Sequence, residues 1–229
     1  MGVTAASRRL TVCACVCTFV AVVIHSVAFA TRHWLESHGD SPFDNIGFHD
    51  ACFNHCRDNF CPTSPEGEFD GCWSLYNFYF QDVRYWLLPA WFTDVRILVI
   101  LIVPLSAICF IVLCVASCLG NDDPYTVDEN RNGLLCQLVV LVVTAVLLFT
   151  TGIMCLVVLA RFYLNAFNPS WMPIPDKNHL GYSYWLEVAA TALILLSFLI
   201  MVTASAFKAL QASVTKEPHF SEDMMLGMR

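Results

Sequence analysis

Charge is what this chain has least of. Only 14% of its residues are Asp, Glu, Lys or Arg, against about 25% in ordinary soluble domains. The 12 Lys and Arg form no cluster or stripe, which excludes a phosphate-tracking face and with it a nucleic-acid partner. Catalytic motifs are missing as well. There is no Gly-rich phosphate loop, no Gly-x-Ser-x-Gly elbow and no His-Glu-x-x-His pair. No apolar run carries the paired carboxylates of a proton-coupled carrier. An enzyme is therefore not expected, and no cofactor is implied. The Asn168-Pro169-Ser170 triplet is closed to glycosylation by its proline. The residues Met225-Leu226-Gly227-Met228-Arg229 lack the hydrophobic carboxyl end that a PDZ domain grips.

What the chain does have is apolar length. Hydrophobic residues make up 57% and the mean hydropathy is +0.60, too apolar for a soluble domain. Four runs are long enough to cross a bilayer as helices, which takes roughly 20 residues at 1.5 Å each. They are predicted over residues 10–30, 95–119, 134–164 and 184–209. Between them lie outer loops 31–94 and 165–183, an inner linker 120–133 and a polar tail 210–229, so one domain accounts for 1–229. The first run could be mistaken for a secretory signal, because Ala28-Phe29-Ala30 precedes Thr31 as at a cleavage site. Such signals have apolar cores of about 7–15 residues, so a retained anchor is expected. Pro104 predicts a kink in the second span. The third span is longer than a bilayer needs, and its end with Arg161, Phe162 and Tyr163 is expected to project beyond the lipid.

Cysteine chemistry orients the chain better than charge does. Arg8, Arg9, Lys208 and Lys216 flank the first and last spans on one side, but the linker on that side is acidic, so the positive-inside rule does not decide. The loop 31–94 holds Cys52, Cys56, Cys61 and Cys72. An even set of thiols in a polar loop reads as two disulfides in an oxidising compartment. Both termini are then cytoplasmic. His49, Cys52, His55 and Cys56 fall within eight residues, yet zinc motifs bring such pairs from separated positions, and no metal is expected there. The other cysteines sit in or beside spans and act as small hydrophobes; Cys118, at the inner end of the second span, is a candidate for palmitoylation.

Two further constellations stand out. Arg96, Arg161 and Glu187 belong at similar depth in the membrane, where ionisable groups face the protein and pair. A clamp of Glu187 with Arg96 or Arg161 is expected, with His25 as a neutral hydrogen-bonded core residue. Aromatic residues crowd the loop margins. Trp86, Trp91, Phe92, Phe162, Tyr163 and Trp171 are expected to offer surface to partners.

These residues carry a resemblance. Trp34 after the first span, Gly47-Phe48-His49 followed by Cys52, and then Cys72 resemble the claudin signature of Trp, Gly-Leu-Trp, Cys and Cys. Phe48 replaces its leucine and His49 its second tryptophan. Leu88 to Arg96 resembles the claudin approach to the second span, and Phe162-Tyr163, Asn168-Pro169 and Leu180 to Trp185 are similar to the second half. Stargazin-type channel subunits, peripheral myelin proteins and clarins share parts of the pattern. The cysteine-bearing insertion is similar to invertebrate claudin-like proteins of septate junctions.

The resemblance implies an all-α membrane four-helix bundle with a small extracellular antiparallel β-sheet. Strands are expected at Ile46 to Cys52 and from Cys72 onward, joined by a Cys52–Cys72 bridge, which leaves Cys56 with Cys61. A loop closed over about 15–20 residues gains roughly 3 kcal/mol in the chain-entropy model. The implied function is a plasma-membrane junction protein that forms or regulates the paracellular barrier. Its partners would be membrane lipid, further copies of itself and other junction proteins in cis and in trans. In some claudins a charged residue beside the second cysteine sets ion selectivity; here Trp73 follows Cys72, and the acidic cluster Glu66, Glu68 and Asp70 precedes it. Barrier or assembly is therefore expected rather than a pore. The alternatives are an auxiliary stargazin-type subunit bound to a channel or receptor, and a surface receptor for an outside ligand.

Overall fold

An apolar stretch in lipid must satisfy every backbone N–H and C=O within itself, and the helix does so. The computed structural model describes residues 3–38, 41, 43–56, 69–81, 83–119, 131–172 and 175–214. Among them are four helices long and apolar enough to cross a membrane. These are α1 (Val3–Ala30), α3 (Ala90–Leu119), α4 (Arg131–Ala166) and α5 (Tyr182–Val214); the short α2 (Arg84–Leu87) precedes α3. Each runs a few residues beyond the span predicted for it. Helix α3 continues through Pro104, which lies on an exposed face.

Five short strands form one antiparallel sheet: β1 (Leu35–Ser37), β2 (Phe43–Ile46), β3 (Asp50–Cys56), β4 (Phe69–Ser74) and β5 (Asn178–Leu180). Their order is β4-β3-β2-β1-β5. Strand β1 is central to the connection between distant parts of the chain, because Leu35 lies opposite Ile46 on one side and Leu180 on the other. The expected strand from Ile46 to Cys52 is in fact two strands and a reversal. Ile46 pairs with Ala51, so the backbone must turn at Gly47 to His49, where Gly47 N–H donates to the Asp50 carbonyl at 2.9 Å. The strand expected from Cys72 onward begins earlier, at Phe69, and ends at Ser74.

The chain divides into two compact units. One comprises Val20–Leu105 and Thr151–Ala192 and carries the sheet; the other comprises Met1–Phe19, Ser106–Thr150 and Leu193–Arg229. The sheet-bearing unit has an aromatic core that includes Trp34, Phe43, Phe48, Phe53, Phe80, Phe92 and Phe162. The other unit adds polar contacts to its apolar ones: Ser7 Oγ donates to the Ala204 carbonyl at 3.2 Å, Ser197 Oγ to the Ala14 carbonyl at 3.4 Å, and Lys208 Nζ to Gln137 Oε1 at 2.8 Å.

One pattern explains which faces of α1 and α5 turn inward. Ser7, Thr11, Ala14, Thr18, Ala21, His25 and Ala28 are all buried on α1, as are Ser183, Glu187, Ala190, Ile194, Ser197, Met201 and Ala204 on α5. Both sets repeat with alternating steps of four and three, the spacing of one helix face. Val12, Val16, Val20, Val23 and Val27 are exposed on the rest of α1. In lipid the larger apolar side chains gain nothing by leaving the tails, whereas small and hydroxyl residues allow close helix approach.

Candidate interaction surface

The signature residues hold the sheet to the helix ends. Trp34 is fully buried, and its indole Nε1 donates to the Ala28 carbonyl at 2.7 Å. Ala28 lies in the last turn of α1, where carbonyls have no intrahelical donor, so this side chain caps the helix. Its backbone joins two strands, with Trp34 N–H to Ile46 O at 3.0 Å and Gly181 N–H to Trp34 O at 3.1 Å. Its ring meets Phe48 at 4.4 Å and Phe162 at 5.2 Å between centroids. Gly47 is required by proximity, since a Cβ there would lie 2.5 Å from Arg32 Cα. Across β3 and β4, Cys52 is opposite Cys72, and the two are disulfide-bonded. Cys56 is disulfide-bonded too; Cys61, Glu66 and Glu68 lie outside the described residues.

The aromatic residues divide differently from the sequence expectation. Phe92, Phe162 and Trp171 are core, and Trp86 and Trp91 are half-buried against it. Trp171 packs on Trp91 with centroids 4.6 Å apart and donates its indole N–H to the Leu87 carbonyl at 3.3 Å. Phe92, Phe162 and Trp171 therefore help fasten the segment after α4 to α2 and α3 from within the core, while Trp86 and Trp91 stay half open. Of the expected set only Tyr163 is largely exposed, at 54%. The open aromatic surface lies one segment earlier, along β4 and the 3-10 turn Phe78–Phe80 to α2. There Phe78 and Tyr85 are 79% and 81% exposed, and Trp73, Tyr76 and Tyr79 are partly open beside them. On the far side of the chain's other loop, Tyr182 and Trp185 are also exposed.

The charged residues form separate contacts in place of the expected clamp. Glu187 Oε2 meets His25 Nδ1 at 2.8 Å, Arg161 Nη1 donates to Asp94 Oδ2 at 3.0 Å, and Arg96 donates to the Tyr76 hydroxyl. The Arg96 guanidinium also lies 4.6 Å from the centre of the Tyr76 ring, a cation–π arrangement. Each of the three residues therefore meets a partner outside the expected set. The Arg161–Asp94 pair is half in solvent, at 51% and 58%. Arg161→Ala is expected to change stability by about 0–1 kcal/mol, read as a near-unchanged thermal melt in detergent.

A carboxylate on β1 ties the residues before that strand to β5. Glu36 on β1 meets His33 Nδ1 at 2.9 Å and His179 Nε2, on β5, at 3.3 Å. His38 stacks on His179 at 3.8 Å between ring centres. Asp70 is exposed on β4, and its carbonyl accepts the Trp73 indole N–H at 3.0 Å. Cys118 is an exposed free thiol near the end of α3. Sequence reasoning quoted Gly181 only within the Leu180 to Trp185 pattern, without its packing role, and missed the inward face of α1, although the alternating four-and-three spacing of Ser, Thr, Ala and His was visible in residues 7 to 28.

The arrangement presents a disulfide-braced sheet edge with aromatic surface. The family model described as PMP-22/EMP/MP20/Claudin tight junction matches residues 10–203. No individual curated protein matches the chain.

Proposed function

Because the chain belongs to the PMP-22/EMP/MP20/claudin family, we propose that it is a structural protein of cell junctions that forms or regulates the paracellular barrier. It does so by binding further copies of itself and other junction proteins, in cis and in trans. In this reading the sheet faces outward and both termini are cytoplasmic, because disulfides persist in oxidising compartments.

The observation that carries the reading is the exposed aromatic run of Trp73, Tyr76, Phe78, Tyr79 and Tyr85 on and beside β4, a strand at the edge of the sheet. Edge strands leave backbone groups open to pairing, and the few residues that carry most of the energy of an interface are enriched in tryptophan and tyrosine. A barrier or assembly role is favoured over a paracellular pore, since a tryptophan follows Cys72.

Phe78→Ser combined with Tyr85→Ser tests the surface. Both side chains are open, so stability should move by no more than about 0.5 kcal/mol each. Self-association, measured by energy transfer between labelled copies in one membrane, should weaken at least about tenfold, which is 1.4 kcal/mol. Unchanged association would remove this surface from the account. The broader role is tested by expressing the wild type in cells without junctions, where it should gather at contacts. A uniform surface distribution, with a channel co-purifying in fixed ratio, would favour the auxiliary-subunit reading instead.

A further inference from the structure

Two arginines of the sheet-bearing unit converge on one tyrosine with no carboxylate between them. Tyr76, in the turn after β4, has the Arg96 guanidinium carbon 4.6 Å and the Arg84 guanidinium carbon 5.9 Å from its ring centre. Arg96 donates to the Tyr76 hydroxyl, and Arg84 Nη2 donates to the Asn77 carbonyl at 3.2 Å. Among the described residues neither guanidinium meets Asp or Glu, and Asp94, two positions before Arg96, is engaged by Arg161. Both Nε atoms are buried without a hydrogen-bond partner, so water does not reach that edge of either group. The two residues as a whole are half-buried, which leaves their terminal nitrogens as the donors a ligand can meet.

We propose that Arg84, Arg96 and the Tyr76 hydroxyl bind the phosphate of a membrane phospholipid, in the leaflet on the sheet side. The residues from Ile97 to Leu119 carry no charge and, at about 1.5 Å each in a helix, reach across the hydrocarbon layer of roughly 30 Å. Arg96 thus stands at the boundary of that layer, where lipid phosphates lie. Next to Arg84 in α2, Tyr85 is 81% exposed and Trp86 is half-buried. Tyrosine and tryptophan are the residues that settle at headgroup level.

The donors select the ligand class. A guanidinium presents its N–H groups in a fixed fork that fits two phosphate oxygens at once, where a lysine would offer only a point charge. The Tyr76 hydroxyl accepts from Arg96 and so keeps its own proton to donate to the same anion. Two like charges around one ring repel, and beside lipid that repulsion is screened less than in open water. A phosphodiester brings one negative charge to them. Its acyl chains hold the headgroup at this level, which a free anion in solution lacks.

The test uses the full chain in maltoside micelles doped with phosphatidylglycerol, with diacylglycerol of the same acyl chains, or with inorganic phosphate at equal concentration. Phenylglyoxal, which modifies accessible guanidinium groups, is applied to each, and the modified sites are mapped by peptide mass spectrometry. Phosphatidylglycerol should slow modification of Arg84 and Arg96 at least about tenfold. Arg161, already paired with Asp94, should be unaffected, and diacylglycerol and inorganic phosphate should protect none of the three. Phosphatidylglycerol should also raise the melting temperature of wild type, and the double variant Arg84→Gln with Arg96→Gln should lose that rise. The proposal is overturned if diacylglycerol protects as well, which would assign the effect to acyl chains, or if inorganic phosphate does, which would make the ligand a free anion. An equal rise in the double variant overturns it too. So does protection that grows with protein concentration without lipid, which would give the arginines to a carboxylate of a neighbouring copy. Since the modification pattern is read on wild type, a double variant that fails to fold leaves the outcome decidable.

Discussion

Gly181→Ala is expected to detach the second loop from the sheet and to destabilise the protein by more than about 4 kcal/mol, the range reserved for severe overpacking. A Cβ at this position would collide with the His33 carbonyl oxygen, lying 2.7 Å from the His33 carbonyl carbon and 2.8 Å from Glu36 Oε1. Two backbone hydrogen bonds hold the approach: Gly181 N–H to Trp34 O at 3.1 Å and Ser183 N–H to His33 O at 3.0 Å. Moving the chain outward to admit one methyl group therefore breaks both and separates β5 from β1. The measurement is a thermal melt in detergent together with limited proteolysis between residues 167 and 182. A melt within about 1 kcal/mol of wild type, with the loop still protected, would show that this contact can give.

Trp34→Ala should cost about 3–5 kcal/mol, the usual loss for a fully buried aromatic side chain cut to a methyl. The residue is 0% exposed and its ring is enclosed by Phe48, Phe162 and Tyr184. The substitution also removes the indole N–H from the Ala28 carbonyl; Thr31 Oγ1, at 3.3 Å, is a weaker donor to the same oxygen. Trp34→Phe separates the two contributions. It keeps most of the apolar contact and loses only the cap hydrogen bond, so its cost should fall to about 1–3 kcal/mol. Equal losses in both variants would assign nearly all the effect to the hydrogen bond and would contradict the packing argument. Melting curves of the two variants in one detergent decide the matter.

The four spans and the cysteine-bearing loop between the first two were legible from residue order alone. A run of twenty or more apolar residues in lipid has no structure other than a helix open to it, and that constraint acts locally. The signature positions Trp34, Gly47 and Phe48 were legible as a pattern as well. Their geometric reasons were not, because the carbonyl that Trp34 caps and the backbone that Gly47 touches are brought to them by folding.

Tertiary structure alone decided which neighbours in sequence became neighbours in space. Phe162 is core and Tyr163 is surface, although they are adjacent, because consecutive residues on a helix point about 100° apart and both are equally aromatic. Arg96, Arg161 and Glu187 have their depths set by counting along their helices, yet each helix's rotation is set by packing, so they face Tyr76, Asp94 and His25 instead of one another. Residue order determines how far along the membrane normal a side chain lies; only the packed helices determine which way it turns, and with that its partner.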